Sequence, residues 1–233
     1  GRAPGTDGRT AYALRRSWEV LREDTFPRQL DELFGFFGHD LPEDHEFSRI
    51  IANPDPSLVP QIYMLGSSTG GVQFAIQKGL AFVFAAQINA EMAVPVMQLY
   101  RQQFRPSKYY DRPKAILSIS VFTAETEEEA YYQAAPTLLM WTMLATGKRF
   151  TSFPTLEEAS NYPYTLQEKA IRDQQMNKFV IGTPEHVADK LHQWAAKTGA
   201  DEIIMLDGYP EMNARRKAYT LLARQFGLNG ERK

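Results

Sequence analysis

Six small residues stand in a row at Gly66, Ser67, Ser68, Thr69, Gly70 and Gly71. Three carry hydroxyls that can donate to an oxyanion. The other three lack a Cβ, so the main chain can come close to a ligand. The apolar run IYML (62–65) precedes them and is fit for a strand buried on both faces. Residues 72–78 follow with helical spacing, and Gly79 suits the C-terminal cap. A strand-to-helix turn of this make-up sets free N–H groups and the positive end of a helix dipole beside the hydroxyls, and both favour an anion such as phosphate. The same residues also fit a simple N-cap at Ser67 or Ser68, and the hexapeptide alone leaves both readings open. It is not a P-loop, which needs Lys after its second Gly, nor the G-x-G-x-x-G of dinucleotide-binding folds.

Other residue types that could do chemistry point to less. His39 and His45 lie in a polar, proline-rich loop and read as solvated. His186 and His192 are six apart, so they do not share a helix face as ligands four apart would. Glu127, Glu128 and Glu129 open a helix, where acidic side chains complement the dipole. No metal site is expected. There is no cysteine, which excludes disulfides, thiolate metal sites and a thiol nucleophile, and fits a cytoplasmic protein.

The elements that must position the turn follow from the pattern. The chain has 233 residues, 43% of them hydrophobic and 23% charged, enough to fold around a core. Its formal charge of −2 leaves no basic stripe for nucleic acid, and no run is long and apolar enough to cross a membrane. Strands are predicted at 62–65, 80–86, 115–122 and 202–206, and helices at 10–22, 26–37, 72–78, 92–104, 126–144, 183–194 and 212–226. Near-continuous apolar strands joined by helices mark a parallel sheet with crossover helices, either doubly wound or a barrel. One domain, 1–233, is expected. Residues 148–178 read as a polar, irregular insert with some helix near 166–174, of a length often used as a lid. The opening GRAPGTD is already motif-like and has no Met, so the chain reads as part of a longer one.

Several segments together resemble the bacterial luciferase-like, flavin-dependent monooxygenase family. They are GRAPGTD (1–7), IYMLGSSTGG (62–71), KGLAFVFAAQ (78–87), YRQQFRPS (100–107), TAETEEEA (123–130), GTPEHV (182–187) and DEIIMLD (201–207). They stand in the family's order and at about its spacing, over nearly the whole chain. The resemblance implies an α/β fold, a TIM (β/α)8 barrel, here incomplete and running from about the fourth to the eighth βα unit. It places Arg2 at the end of the fourth strand and implies that about 100 residues would precede Gly1, at roughly 30 per unit.

The resemblance further implies a flavin-dependent monooxygenase that uses reduced FMN and O2 to oxidise a small organic substrate. The reduced FMN would come from a flavin reductase. Ser67, Ser68, Thr69, Gly70 and Gly71 would hold the flavin phosphate, with Arg2 pairing to it. F420-dependent hydride transfer is the alternative cofactor chemistry, and a non-catalytic flavin-binding relative or inactive fragment the alternative class. The family is commonly dimeric, so a homodimer is expected. No catalytic residue is assigned, and Gln87 is a candidate pocket residue only.

Overall fold

The computed structural model describes residues 8–18, 25–38, 40–52, 55, 57–148 and 151–228. The chain divides into two compact units, Gly1–Met64 and Leu65–Lys233.

In the first unit, α1 (Gly8–Arg15) buries no residue and α2 (Phe26–Gly38) buries Leu30 and Gly35. The loop after α2 is held locally. The Phe47 N–H donates to His45 Nδ1 at 3.2 Å, and His45 lies edge-on to the Phe47 ring. His39, read from the sequence as solvated, lies outside the described residues.

The second unit carries the sheet apart from Tyr63 and Met64, the first two residues of its first strand. β1 (Tyr63–Gly66) leads into α3 (Thr69–Lys78), then β2 (Ala81–Ala85), α4 (Ala93–Gln103) and β3 (Ala115–Thr123). After β3 come α5 (Glu127–Ala145), α6 (Leu156–Ser160) and α7 (Leu166–Gln175). A 3-10 turn at Met176–Lys178 enters β4 (Phe179–Gly182), followed by α8 (Pro184–Thr198), β5 (Glu202–Leu206) and α9 (Met212–Gln225). The four predicted strands are present within one or two residues.

Every residue of β2 and β3 is buried, as the unbroken apolar runs AFVFA and AILSISVFT require of central strands. Strand order is β1-β2-β3, with β4 and β5 also paired to β3. The pairings of β3 with β2, β4 and β5 are all parallel. Ile116, Leu117 and Ser118 pair with both β2 and β5, so those two strands flank β3 on opposite edges. Ser120 pairs with both Phe179 of β4 and Leu206 of β5. β4 therefore shares β2's edge and begins where β2 has ended.

This register shows which helix crosses the sheet. The chain leaves β3 at its C-terminal end and returns to that same end at β4. The excursion spans residues 124–178, with α5 as its first element. The crossover from β4 to β5 is made by α8, which packs on β3, β4, β5 and α4. β4 was not foreseen: it is four residues long and follows a polar helix, and only its pairing with β3 makes it a strand.

A buried tyrosine completes main-chain hydrogen bonding between α4 and the strand starts. Tyr100 of α4 is fully buried, donates to the Leu80 carbonyl at 2.8 Å and accepts the Lys114 N–H at 3.2 Å. Burial pushes its phenol up to about 12. Gly79 closes α3 at φ 60° and ψ 46°, where a Cβ would also stand 2.4 Å from the Arg105 carbonyl oxygen. Glycine is required there by both conformation and space. Among the described residues, no helix is long and apolar enough to cross a membrane.

Candidate functional site

The turn after β1 is tighter than its sequence suggests. α3 begins at Thr69, three residues before the predicted start, so Thr69, Gly70 and Gly71 form its first turn. Ser68 is the N-cap, in extended backbone at φ −154° and ψ 177°. The helix can start this early because Gly71 packs on Gly66. A Cβ on Gly71 would lie 3.1 Å from the Gly66 Cα, and one on Gly66 would lie 3.2 Å from the Gly71 Cα. These two glycines thus let strand and helix approach each other, a packing role the sequence reading had given to ligand approach.

The capping role left open for Ser67 or Ser68 is not used by Ser68, whose side chain makes no cap hydrogen bond. Among the described residues, the hydroxyls of Ser67, Ser68 and Thr69 have no hydrogen-bond partner. The first N–H groups of a helix have no intrahelical acceptor. The turn therefore presents free N–H groups, three uncommitted hydroxyls and the positive end of a ten-residue helix dipole. Ser68 and Thr69 are exposed, and Ser67, Gly70 and Gly71 are half-buried. This donor set, with no acidic side chain in the helix's first turn, suits a phosphate. Arg2, assigned to the same phosphate from the sequence, lies outside the described residues.

Other groups stand at the C-terminal ends of the strands. Gln87, just past β2, has a buried side-chain carbonyl oxygen without a partner among the described residues. Lys178, at the entry to β4, donates to the Gln175 side chain at 2.6 Å and stands 5.3 Å over the Trp141 ring. Its ammonium is held below the usual lysine range, chiefly by burial.

The end of β3 is fixed by residues that local sequence signals do not reveal. Thr123 Oγ1 donates to the Gly182 carbonyl at 2.9 Å, tying β3 to β4. Tyr209, in the loop after β5, accepts the Thr123 N–H at 2.7 Å and donates to the Thr123 carbonyl at 3.2 Å. Its ring lies 5.0 Å from that of Phe122 and packs against a cluster that includes Phe122, Ala130, Ala134 and Ile181. Burial pushes the Tyr209 phenol up to about 12.

Within the excursion, Thr155 with Glu158 and Thr165 with Glu168 form two reciprocal capping boxes. Glu168 does a second task. It accepts from Lys148 at 2.7 Å while its side chain is only 5% exposed. The Lys148 hydrogen bond, then the Thr165 N–H, hold its carboxyl down at about 2. Residues 151–178 thus carry two capped helices packed on α5, where the sequence suggested a largely irregular segment with some helix.

Comparison with known proteins agrees with this architecture. The sequence profile of the luciferase-like monooxygenase family matches residues 36–202. The uncharacterized protein YceB of Bacillus subtilis (strain 168) is 32% identical over 97% of this chain and 68% of its own length. A luciferase-like monooxygenase of Escherichia coli (strain K12) is 28% identical over 95% of this chain and 64% of its own length. The chain therefore spans about two thirds of these relatives. Among solved structures, apo-MsnO8 superposes with a TM-score of 0.78 at 28% identity, covering 98% of this chain and 66% of that one.

Two more distant structures share the fold at 14% identity. The oxygenating constituent of 3,6-diketocamphane monooxygenase from Pseudomonas putida, in complex with FMN, has a TM-score of 0.54 over 94% of this chain and 66% of that one. The F420-dependent tetrahydromethanopterin reductase of Methanopyrus kandleri has a TM-score of 0.50 over 86% of this chain and 61% of that one. The fold is that of a TIM barrel in part, and the chain belongs to the luciferase-like monooxygenase family.

Proposed function

We propose that the protein is a flavin-dependent monooxygenase that oxidises a small organic substrate with reduced FMN and O2, and that the FMN phosphate binds at the turn between β1 and α3. The observation that carries this reading is the uncapped start of α3, with the uncommitted hydroxyls of Ser67, Ser68 and Thr69 beside it. Family membership supports the monooxygenase class. The FMN complex of the Pseudomonas putida relative supports the cofactor.

In this reading the N–H groups of Thr69, Gly70 and Gly71 and the three hydroxyls hold the phosphate, and the helix dipole lowers the cost of its charge. Arg2, at the matching family position, supplies a charge-assisted contact. Anchoring the phosphate at the end of β1 fixes one end of the cofactor along the strand C-termini, where barrel enzymes bind ligands. Reduced flavin, when bound, supplies the electrons for oxygen activation, and a flavin reductase replenishes it. The segment 148–178, with α5 beneath it, leaves and rejoins the sheet at that same end and acts as a lid over substrate access.

The test uses the full-length protein. FMN and riboflavin affinities are measured for wild type, for Arg2→Ala and for the triple variant Ser67→Ala/Ser68→Ala/Thr69→Ala. Each lost contact to the phosphate should weaken FMN about tenfold or more and leave riboflavin, which lacks the phosphate, unchanged. Variants that bind FMN as wild type does, or lose riboflavin to the same degree, overturn the site. The F420 enzyme among the structural relatives motivates a second reading, hydride transfer without oxygen. Anaerobic turnover with reduced F420 would establish it, whereas strict dependence on reduced FMN and O2 supports the first.

A further inference from the structure

The excursion carries an open groove of its own, lined by residues of α5, α6, α7 and the turns between 159 and 176 and about 620 Å³ in volume. That is within the size range of small-molecule sites. Its floor is apolar, made by Leu138 of α5, Ala159 of α6 and Met176. Tyr131, on α5, and Tyr162 and Tyr164, before α7, supply aromatic walls, and the Tyr162 hydroxyl is already engaged by Glu168 and Lys148.

The polar groups around it are nearly all donors, and several are uncommitted. Lys169 lines the groove, and its ammonium has no partner among the described residues. The hydroxyls of Tyr131 and Tyr164 likewise make no hydrogen bond among the described residues. Arg172 stands 5.3 Å over the Tyr164 ring and uses Nε and one terminal nitrogen on Asp173, which leaves its other terminal nitrogen free of that pair. Asp173 is the carboxylate among the lining residues, and Glu168, which accepts from the Tyr162 hydroxyl, is occupied by Lys148 and its capping box. Arg172 and Asp173 cancel, so the groove keeps the positive charge of Lys169 above an apolar floor.

We propose that this groove binds a small organic anion with an apolar body, of the aryl or alkyl carboxylate class. The body lies on Leu138, Ala159 and Met176 against the tyrosine rings. The carboxylate meets Lys169 and the tyrosine hydroxyls at the rim, where a charge-assisted hydrogen bond is stronger than a neutral one. A neutral ligand of the same shape gains the floor but not the rim. The proposal stands apart from the flavin reading, because none of these residues belongs to the phosphate turn.

The test is isothermal titration of the full-length protein with 2-naphthoate and with its neutral counterpart, 2-naphthalenemethanol. Wild type should bind one naphthoate and prefer it to the alcohol. Lys169→Glu changes an exposed side chain, and should weaken naphthoate about tenfold or more while leaving the alcohol unchanged. Lys169→Gln should give a smaller loss in the same direction. Tyr131→Ala should weaken both ligands, and FMN affinity should stay at the wild-type value in all three variants. The proposal is overturned if naphthoate does not bind wild type up to about 1 mM. Equal naphthoate affinity in wild type and Lys169→Glu would overturn it as well.

Discussion

Replacing Tyr209 by Phe removes one oxygen and leaves the ring in place. That oxygen serves both the N–H and the carbonyl of Thr123, at 2.7 and 3.2 Å. The pairing of β3 with β5 stops at Ser120 and Leu206, and Thr123 is only 2% exposed. Water is therefore a poor substitute for the lost hydroxyl. A buried donor left without an acceptor costs about 1–3 kcal/mol, while the contact with Phe122 is kept. For a chain of this size, this corresponds to a fall in Tm of about 2–12 °C. Urea denaturation should show a lower midpoint with an unchanged slope, and amide exchange should show faster loss at Thr123 than at Leu117. The phenol adds a pH signature. Its folded pKa, about 12, lies above the usual 10.0, so its contribution is complete below pH 10 and is lost as pH rises toward 12. Tyr100 behaves in the same way, and the alkaline fall in stability should be shallower in Tyr209→Phe but not abolished. A Tyr209→Phe protein with wild-type stability and unchanged Thr123 exchange would refute this account of how the end of β3 is held.

Three further outcomes are expected. Gly71→Ala gains about 1 kcal/mol of helix propensity but sets a Cβ 3.1 Å from the Gly66 main chain, which cannot rotate away, so a net loss of about 0–2 kcal/mol is expected by denaturation. A clear gain in stability would show that the glycine pair is not tight. Glu168 has its pKa depressed from 4.5 to about 2, so its contribution is present above pH 4.5 and lost as pH falls toward 2. Amide protection of residues 151–178 should fall across that window in wild type, whereas Glu168→Gln should be less protected at pH 7 and show no such step. Thr123→Val keeps shape but removes the hydroxyl bond to the Gly182 carbonyl, and should speed exchange in β4 more than in β5.

Much of the fold was legible because local signals and tertiary demands coincide. The unbroken AILSISVFT becomes a fully buried central strand, since only a strand covered on both faces can hide every residue of such a run. Gly79 and the Thr183-Pro184 pair close and open their helices as residues of their type do, with Thr183 accepting the His186 N–H. The candidate turn was legible as chemistry but not as geometry. Two glycines predict a loop by propensity, yet Gly71 is drawn into α3 by its contact with Gly66, five residues back. Of the two serines that could cap the helix, Ser68 stands at the N-cap and leaves its hydroxyl uncommitted.

What stayed hidden depends on partners far away in sequence. The FVIG of β4 has no alternation or length to mark it, and it becomes a strand because β2 ends and leaves β3's edge open past Ala85. That placement also changes the meaning of α5. A helix following a strand reads as a crossover, but this chain comes back to the end of β3 that it left, so α5 belongs to the excursion and α8 makes the crossing. The consequence is functional. Thr123, Gly182 and Tyr209 sit at the joint where the excursion departs and returns, and together they hold both of its roots to the sheet. If the segment acts as the proposed lid, the Lys148–Glu168 contact is one of the ties that its opening would have to break. In that reading, FMN association and release measured by stopped-flow should change with Glu168→Gln far more than with substitutions in the exposed turn around Asn161.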